Sequence, residues 1–441
     1  MNEAGIEVVA RPAATAAPPE RIEGRSIAEW RSEARELLGL DRAPVVACGH
    51  QCACWHPGIL AKNLWVDAIA ERDAAQAVHV MVDQDGFDGV HVEWPARGAD
   101  GWWRLHGHRF ASESGLALGH PAFMPRSVEP GEGTPAEVAD GLERLQEALR
   151  RNAQACDAAE QVTRAMLESA AAVLRPPAIV RASQLLRTSL GLRLLDRMLQ
   201  DPEACANAFN EALSAAPRSA RPLRVMGGRS ELPLWLTSAA GERARATPAE
   251  TRAALSAGRP LLPRAFLMGA LARTALSDRF VHGLGGATYE QVTDRWLRRW
   301  LGWAPPAFDV VSATLRLPLE VPGAAAPPAM PWRRAWCDPE LLASGGRGPS
   351  AARRRLLDLI ASVPPRDPRR RSIYRELVEE RNAARLRRSG ELETLQAAEA
   401  AVGARRLAAE LAARRTWCFV LQPAAALSRL RDAVRARRPR A

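Results

Sequence analysis

Lysine is almost missing from this chain: of its 61 Lys and Arg positions in 441 residues, only Lys62 is lysine. Nearly every generic cation is therefore a guanidinium, and the one position that keeps a compact, titratable ammonium stands out. Tyrosine (two residues) and phenylalanine (eight) are also scarce beside thirteen tryptophans. Such a balance offers little of the Tyr/Phe stacking surface on which RNA-reading modules rely. No run approaches the length of apolar sequence that a membrane-spanning helix needs, so no membrane partner is expected. The opening Met-Asn-Glu-Ala-Gly-Ile-Glu has no apolar core, so no secretory signal is expected either. Seven cysteines, an odd number without such a signal, predict free thiols in a reducing cytoplasm.

What is present is an ordinary globular balance, 47% hydrophobic and 25% charged, with a net charge of +11. The charge predicts anionic partners, a small anionic molecule ahead of a nucleic acid. The patterning predicts an α/β fold: a Rossmann-like parallel sheet from 25–133 and 220–320, interrupted by a helical insertion at 134–219. An Ala/Pro-rich, poorly ordered leader (1–24) precedes it. A Pro/Gly/Ala-rich linker (321–350) and a basic helical region (351–441) follow. Ala43–Cys48 and Ala77–Asp83 read as parallel strands flanking a helix at Ile59–Arg72. Val90–Trp94 and Trp102–Leu105 read as a hairpin. Thr134-Pro135-Ala136-Glu137 reads as a capping box opening a helix that persists to about Leu174. Further helices are expected at Ser183–Leu199, Pro202–Ala215 and Pro263–Phe280, and strands at Leu223–Met226, Leu232–Thr237, Phe308–Val311 and Ala313–Leu319. Ser372–Arg388 and Glu391–Arg415 are expected to form a hairpin turning at Ser389-Gly390. Ile373, Leu377, Leu392, Leu395 and Val402 would make its seam.

The chemistry concentrates where the first strand gives way to the first helix, the place where open parallel sheets bind ligands. Gly49 and Gly58 let backbone approach an anion, Gln51 and Asn63 are polar contacts, the helix start offers N–H groups, and Lys62 adds a full charge. His50 and His56 are the proton-transfer candidates, since imidazole titrates near neutral pH. His56-Pro57-Gly58-Ile59 approaches the His-x-Gly-His signature of nucleotidyl-transferring Rossmann-like proteins, with Ile59 in place of the second His. A nucleotide, ATP or ADP, is thus the one cofactor brought into consideration. Cys48, His50, Cys52, Cys54 and His56 alternate, and on an extended strand would share a face, which supplies a zinc enzyme as an alternative reading. At the end of the second strand, Asp83, Gln84, Asp85 and Asp88 are expected to face the same crevice, the acids orienting an amine or hydroxyls or acting as a general base. His282, Gly285, Gly286, Tyr289 and Glu290 form a Gly-rich turn between two helices, expected as a second anion nest that closes the crevice. The arginine-rich C-terminal hairpin supplies nucleic-acid binding as a further alternative.

With these residues in place, the chain resembles the bacillithiol-biosynthesis cysteine-adding enzyme family. Gly49-His50-Gln51 is similar to that family's Gly-Gln-Gln, followed by the Pro57-Gly58 turn and Lys62. Asp83-Gln84-Asp85-Gly86-Phe87-Asp88 is similar to its acidic string, and Gly285-Gly286 with Tyr289 to its Gly-Gly segment. The late helical hairpin resembles its coiled-coil arm. His50 replaces the first Gln, and Gly86 stands where the family has His. The resemblance implies a Rossmann-like core, a homodimer formed through the hairpin, and a ligase that joins cysteine to glucosaminyl-malate by an amide bond.

Overall fold

The computed structural model describes residues 6–11, 19–113, 115–227, 229–238, 242–321, 323, 328, 330–343, 345 and 348–437. The chain divides into two compact units, one of Met1–Ala96, Leu105–Leu317 and Arg414–Ala441, the other of Arg97–Arg104 and Pro318–Ala413. Along the chain come β1 (Ile6–Arg11), the ribbon β2 (Arg21–Ile22) and β3 (Arg25–Ser26), α1 (Ile27–Leu37), β4 (Val45–Gln51), α2 (Pro57–Arg72) and β5 (Gln76–Val82). A hairpin, β6 (His91–Arg97) and β7 (Trp103–Arg109), leads to α3 (Ala136–Arg151), α4 (Ala158–Ser169), β8 (Ala178–Arg181), α5 (Ser189–Gln200) and α6 (Pro202–Leu213). Then follow β9 (Leu232–Thr237), β10 (Arg243–Ala246), α7 (Pro248–Ser256), β11 (Leu261–Pro263), α8 (Ala265–Leu271), β12 (Arg279–His282), α9 (Leu284–Leu301) and β13 (Phe308–Leu315). The second unit holds α10 (Trp332–Cys337), α11 (Ala351–Ser362), α12 (Arg369–Arg387) and α13 (Ser389–Ala413); α14 (Ala424–Ala436) belongs to the first.

The central sheet runs β1-β13-β12-β4-β5-β8, parallel throughout except for β1, which lies antiparallel on β13. This is the expected α/β class with a mainly parallel, Rossmann-like core. From β4 the chain builds outward through β5 and β8, then returns to the other side of β4 to lay down β12 and β13. The order of the parallel strands reverses between β4 and β12. The strands read as apolar runs because both faces are covered. Val45, Ala47, Val78, Val80 and Phe280 pack with Trp30, Leu194, Phe209, Leu267 and Trp296 of α1, α5, α6, α8 and α9. The alternate residues Val46, Cys48, Met81 and Val281 are buried on the opposite face, where α2 packs on β4, β5 and β12. That helix is buried from Pro57 to Ala70, because α14 packs on it with Leu427, Leu430 and Val434 on its own buried side.

Several elements depart from the sequence expectation. In the expected leader, Ile6–Arg11 forms β1; residues 1–5 and 12–18 lie outside the described residues. The 134–219 segment is not purely helical, since Ala178–Arg181 forms β8, an edge strand of the central sheet. The long helix expected to reach Leu174 breaks after Arg151, and Asp157 starts α4 by accepting the Glu160 N–H. Thr134 does not cap α3; its hydroxyl bonds the Pro130 carbonyl. The helix expected to reach Phe280 ends by Leu276, and Arg279–His282 becomes a strand inside the sheet. Leu232–Thr237 joins a separate three-stranded sheet, and 223–226 is not a strand. The expected linker contains α10, and part of it (322, 324–327, 329, 344, 346 and 347) lies outside the described residues. The expected hairpin pairs differently: α12 packs on α11, while Leu392 of α13 clusters with Met330, Ala335 and Leu341, and Leu395 packs against them. Among the described residues no helix is long and apolar enough to cross a membrane.

Gly141 makes one contact testable. Alanine normally stabilises a helix interior by about 1 kcal/mol over glycine. A Cβ at Gly141, however, would lie 2.2 Å from the carbonyl oxygen of Val420, a backbone atom. The Gly141→Ala variant is therefore expected to lose about 1–3 kcal/mol of stability, as overpacking costs, measured as a lower midpoint in urea unfolding.

Candidate functional site

Two strand-to-helix switches lie side by side where the sheet order reverses. β4 ends at Gln51 and reaches α2 through Cys52–His56; β12 ends at His282 and passes at once into α9, with Gly283 as its N-cap. Adjacent strands whose helices cover opposite faces leave a gap at their C-terminal ends. A cavity of about 420 Å³ opens there, its wall including Gly49, His50, Gln51, His56, Gly58, Lys62, Asp85, His282, Gly285, Gly286 and Tyr289.

Lys62 lies in that wall with 7% of its surface exposed. Its Nζ donates to the Gly49 carbonyl at 2.6 Å, and among the described residues it forms no ion pair. Burial lowers its pKa from the ordinary lysine value. Arg415, bonded to Ser312 Oγ at 3.3 Å, adds a guanidinium to the same wall.

His56 has an assignment that sequence alone did not reveal. It is the N-cap of α2, and its Nδ1 accepts the Gly58 N–H at 3.0 Å, which requires an unprotonated ring nitrogen. Burial, then Arg415 and Lys62, push its pKa down to about 4. Pro57 has no N–H, and those of Ile59 and Leu60 go to the His56 carbonyl. The start of α2 therefore has no donor to spare, contrary to the expectation for this loop. The open donors belong to α9: no side chain caps it, and its first helical bond is Ala287 N–H to Gly283 O at 3.0 Å. The N–H groups of Leu284, Gly285 and Gly286 precede that bond, in the cavity wall. The Gly-rich segment is thus a strand-to-helix junction rather than a turn between helices.

His282 and Glu290 form the second polar centre. Glu290 is fully buried, 2.6 Å from Arg273 Nη1, and its Oε1 lies 3.2 Å from His282 Nε2, off the line of a good hydrogen bond. Burial alone would raise its pKa, but His282 and Arg273 outweigh that and hold it below the usual carboxylate value. Glycine clears the space around the pair. A Cβ on Gly286 would come within 2.7 Å of His282 Nδ1, and one on Gly269 would strike Glu290 Oε1.

Five expected site residues lie outside this cavity wall. Glu290 stands behind His282. Asn63 is buried under Lys62, accepting from Cys48 Sγ at 3.2 Å and His79 Nδ1 at 2.9 Å. Asp83 is held by Ser183 N and Oγ at 3.0 and 2.5 Å and by Arg181 at 3.6 Å; burial raises its pKa despite these partners. Asp88 accepts the Val90 N–H at 2.9 Å within its own turn, and Gln84 lines a neighbouring cavity. Only Asp85 of the acidic string reaches the crevice, tied to Gln51 Nε2 and, at 2.7 Å, to Arg243. The strand alternation stops at Val82, where the chain turns through Asp83 N–H to Met81 O. Residues that sequence reasoning did not find, Met268, Gly269, Phe280, Ser312 and Arg415, also line the cavity. Gly269 and Phe280 were hidden because the segment from α8 to Phe280 reads as one helix, with no Gly or Pro between Leu271 and Phe280 to mark the change to β12.

The alternating cysteines and histidines do not assemble a metal centre. β4 ends before Cys52; Cys48 bonds Asn63, Cys52 lies at Val82 O and Thr163, and Cys54 at Cys418. Among the described residues no group of three or more His, Cys, Asp or Glu is placed to hold a metal ion. In the second unit, arginines are partly neutralised in place, Arg387 by Glu340 and Glu380, Arg388 by Glu340 and Glu391, and Arg406 by Glu410. No protein-family model matches the chain, and no curated protein shows significant sequence similarity to it.

The buried imidazoles give the site a pH signature. His79, stacked on Trp55 at 4.8 Å, is pushed down to about 3 by burial and then Lys62, and His56 to about 4. Both rings are neutral when folded, whereas the unfolded chain protonates them near pH 6.5. Their contribution is therefore full above 6.5 and is lost as pH falls toward 4, at up to about 1.4 kcal/mol per unit for each histidine. Urea midpoints between pH 7 and 4.5 are expected to fall, with a smaller slope in a His79→Asn variant.

Proposed function

We propose that the crevice is the active site of a cytosolic, homodimeric enzyme of ligase or transferase type that acts on an anionic small molecule. The observation that supports this best is Lys62: the chain's single lysine is buried in the cavity wall and, among the described residues, has no acidic partner. In this reading a carboxylate or phosphate of the substrate supplies the missing counter-charge, held also by Arg415 and the free N–H groups of α9. When an amine attacks an acyl group activated as a mixed anhydride with phosphate, the C–N bond forms as the C–O bond to phosphate breaks, and the same donors stabilise the acyl oxygen and the departing phosphate. His282, whose Nε2 lies 3.2 Å from the Glu290 carboxylate, takes the proton from that amine at the crevice wall. Asp85 and Gln51 orient the amine-bearing partner. The resemblance to the cysteine-adding family makes cysteine and an amino-sugar acceptor the specific expectation. The phosphates of ATP or ADP would engage the same donors.

Thermal stabilisation by phosphate, malate, citrate, ADP and ATP tests the reading. At least one anion is expected to raise the melting temperature of the wild type, by an amount equivalent to about 2.7 kcal/mol at a hundred times its dissociation constant. Lys62→Ala is expected to lose that gain. Lys62→Arg is expected to lose most of it, because a larger guanidinium must replace an ammonium seated on the Gly49 carbonyl. The anion binds the protonated lysine, so affinity should fall as pH rises above the lowered pKa of the free Lys62, with proton uptake visible as buffer-dependent binding heat. Stabilisation of wild type and Lys62→Ala to the same extent would refute the assignment.

A further inference from the structure

We infer that a second cavity beside the first is the far half of one binding site. The ligand that fills both carries, beyond its anionic group, an uncharged ring with an apolar face and at least one N–H or O–H donor. The inference rests on the anion reading above and names the class of molecule to which the anion belongs. The second cavity, about 390 Å³, shares Val82, Asp85, Ala265 and Met268 with the first, so the two chambers meet along a common wall. Both volumes are in the range of small-molecule sites.

The chemistry of the second chamber is set by Gln84, which is 4% exposed and forms part of its wall. Its Nε2 donates to the Pro263 carbonyl. That oxygen can only accept, so the amide cannot be turned round, and the Oε1 is left as a buried acceptor without a partner. A ligand N–H or O–H that reaches this oxygen from the chamber would give it the partner that the protein does not supply. Beside it the wall offers apolar surface from Phe209, Phe266, Trp235 and Met268. Its charged groups are already engaged: Arg243 with Asp85, and Arg264 with Glu231 while its guanidinium lies 3.7 Å from the Trp235 ring centre. Arg221 stands exposed at the rim, where a charge gains little. The chamber therefore asks for a neutral, donor-bearing ring rather than a second anion.

A nucleobase with an exocyclic amine and a sugar ring with hydroxyls share that chemistry, and either comes joined to a phosphate. Dissociation constants of inorganic phosphate, adenosine monophosphate and glucose 6-phosphate, measured by calorimetry on the full chain, separate them. One ring-bearing phosphate is expected to bind at least tenfold more tightly than inorganic phosphate, and which one does so identifies the source. Gln84→Met removes the acceptor, and Ser219→Trp fills the chamber from a half-exposed position. Each is expected to abolish the tenfold advantage while leaving the affinity for inorganic phosphate within about twofold. Should Gln84→Met fail to fold, as judged by its melting curve, Ser219→Trp carries the test. Equal affinity of all three compounds for the wild type overturns the inference, as does retention of the advantage in Ser219→Trp. Failure of every phosphate compound to bind the wild type overturns the anion reading beneath it, a different result.

Discussion

A parallel strand is reached only by a crossover, and crossovers are right-handed. From that constraint the rest of this core follows. Laying β5 and β8 on one side of β4, and β12 and β13 on the other, sends α2 and α9 to opposite faces of the sheet. Neither of these two helices then closes the space above the ends of β4 and β12. The chain places its two glycine-rich junctions, Gly49–Gly58 and Gly283–Gly286, at that opening. Their donors differ. The α2 junction spends its N–H groups on His56, whereas the α9 junction leaves its first three open, so negative charge is favoured on the α9 side of the crevice.

The groups buried beneath Lys62 are neutral. Cys48 beneath it is raised to about 11 by burial, His79 is lowered to about 3, and Asn63 joins the two through its one oxygen. A buried ammonium without a counter-charge costs several kcal/mol in desolvation. The carbonyl of Gly49 offsets part of it, and glycine is required at that position because a Cβ there would lie 2.7 Å from Val80 O. The fold could have relieved the cost with a carboxylate on β5 facing Lys62, yet the acids that follow β5 are engaged elsewhere, Asp83 with Ser183 and Asp85 with Arg243. An arrangement that keeps the charge and withholds its partner is understandable when the partner arrives as ligand.

How far the sequence disclosed this can be argued residue by residue. β4 and β5 were legible because Val-Val-Ala and Val-His-Val-Met-Val are apolar on both faces and bounded by turn residues, and the strand-to-helix loop between them followed. β8 and β12 were not, because four residues carry too little pattern: Arg279–His282 follows an apolar helix without a breaker, and Ala178–Arg181 sits between helices. Losing β12 turned the α9 junction into a supposed turn and hid the order reversal that makes the crevice. β1 was masked by composition; its Ile-Glu-Val-Val alternation lies in an Ala/Pro-rich stretch. The acidic string was placed at the right strand end, but a one-residue step past Val82 turns side chains to different neighbours, and only Asp85 meets the cavity.

The same geometry divides labour among the histidines. A ring that caps a helix through Nδ1 must stay neutral and still; protonating that nitrogen would turn its acceptor into a donor facing Gly58 N–H. His56 is therefore a poor proton carrier at that atom, and its value lies in shaping the loop that brings Gly49 and Lys62 together. His282 has the opposite setting. Its Nε2 is near a buried carboxylate anchored by Arg273, and Gly286 keeps its Nδ1 side free of a Cβ. The ring thus stands at the crevice wall between a fixed acid and the Gly286 backbone, the setting on which its proposed role rests. Of these two rings, the proton transfer proposed above falls to His282, while His56, which the sequence offered together with His50, serves the architecture.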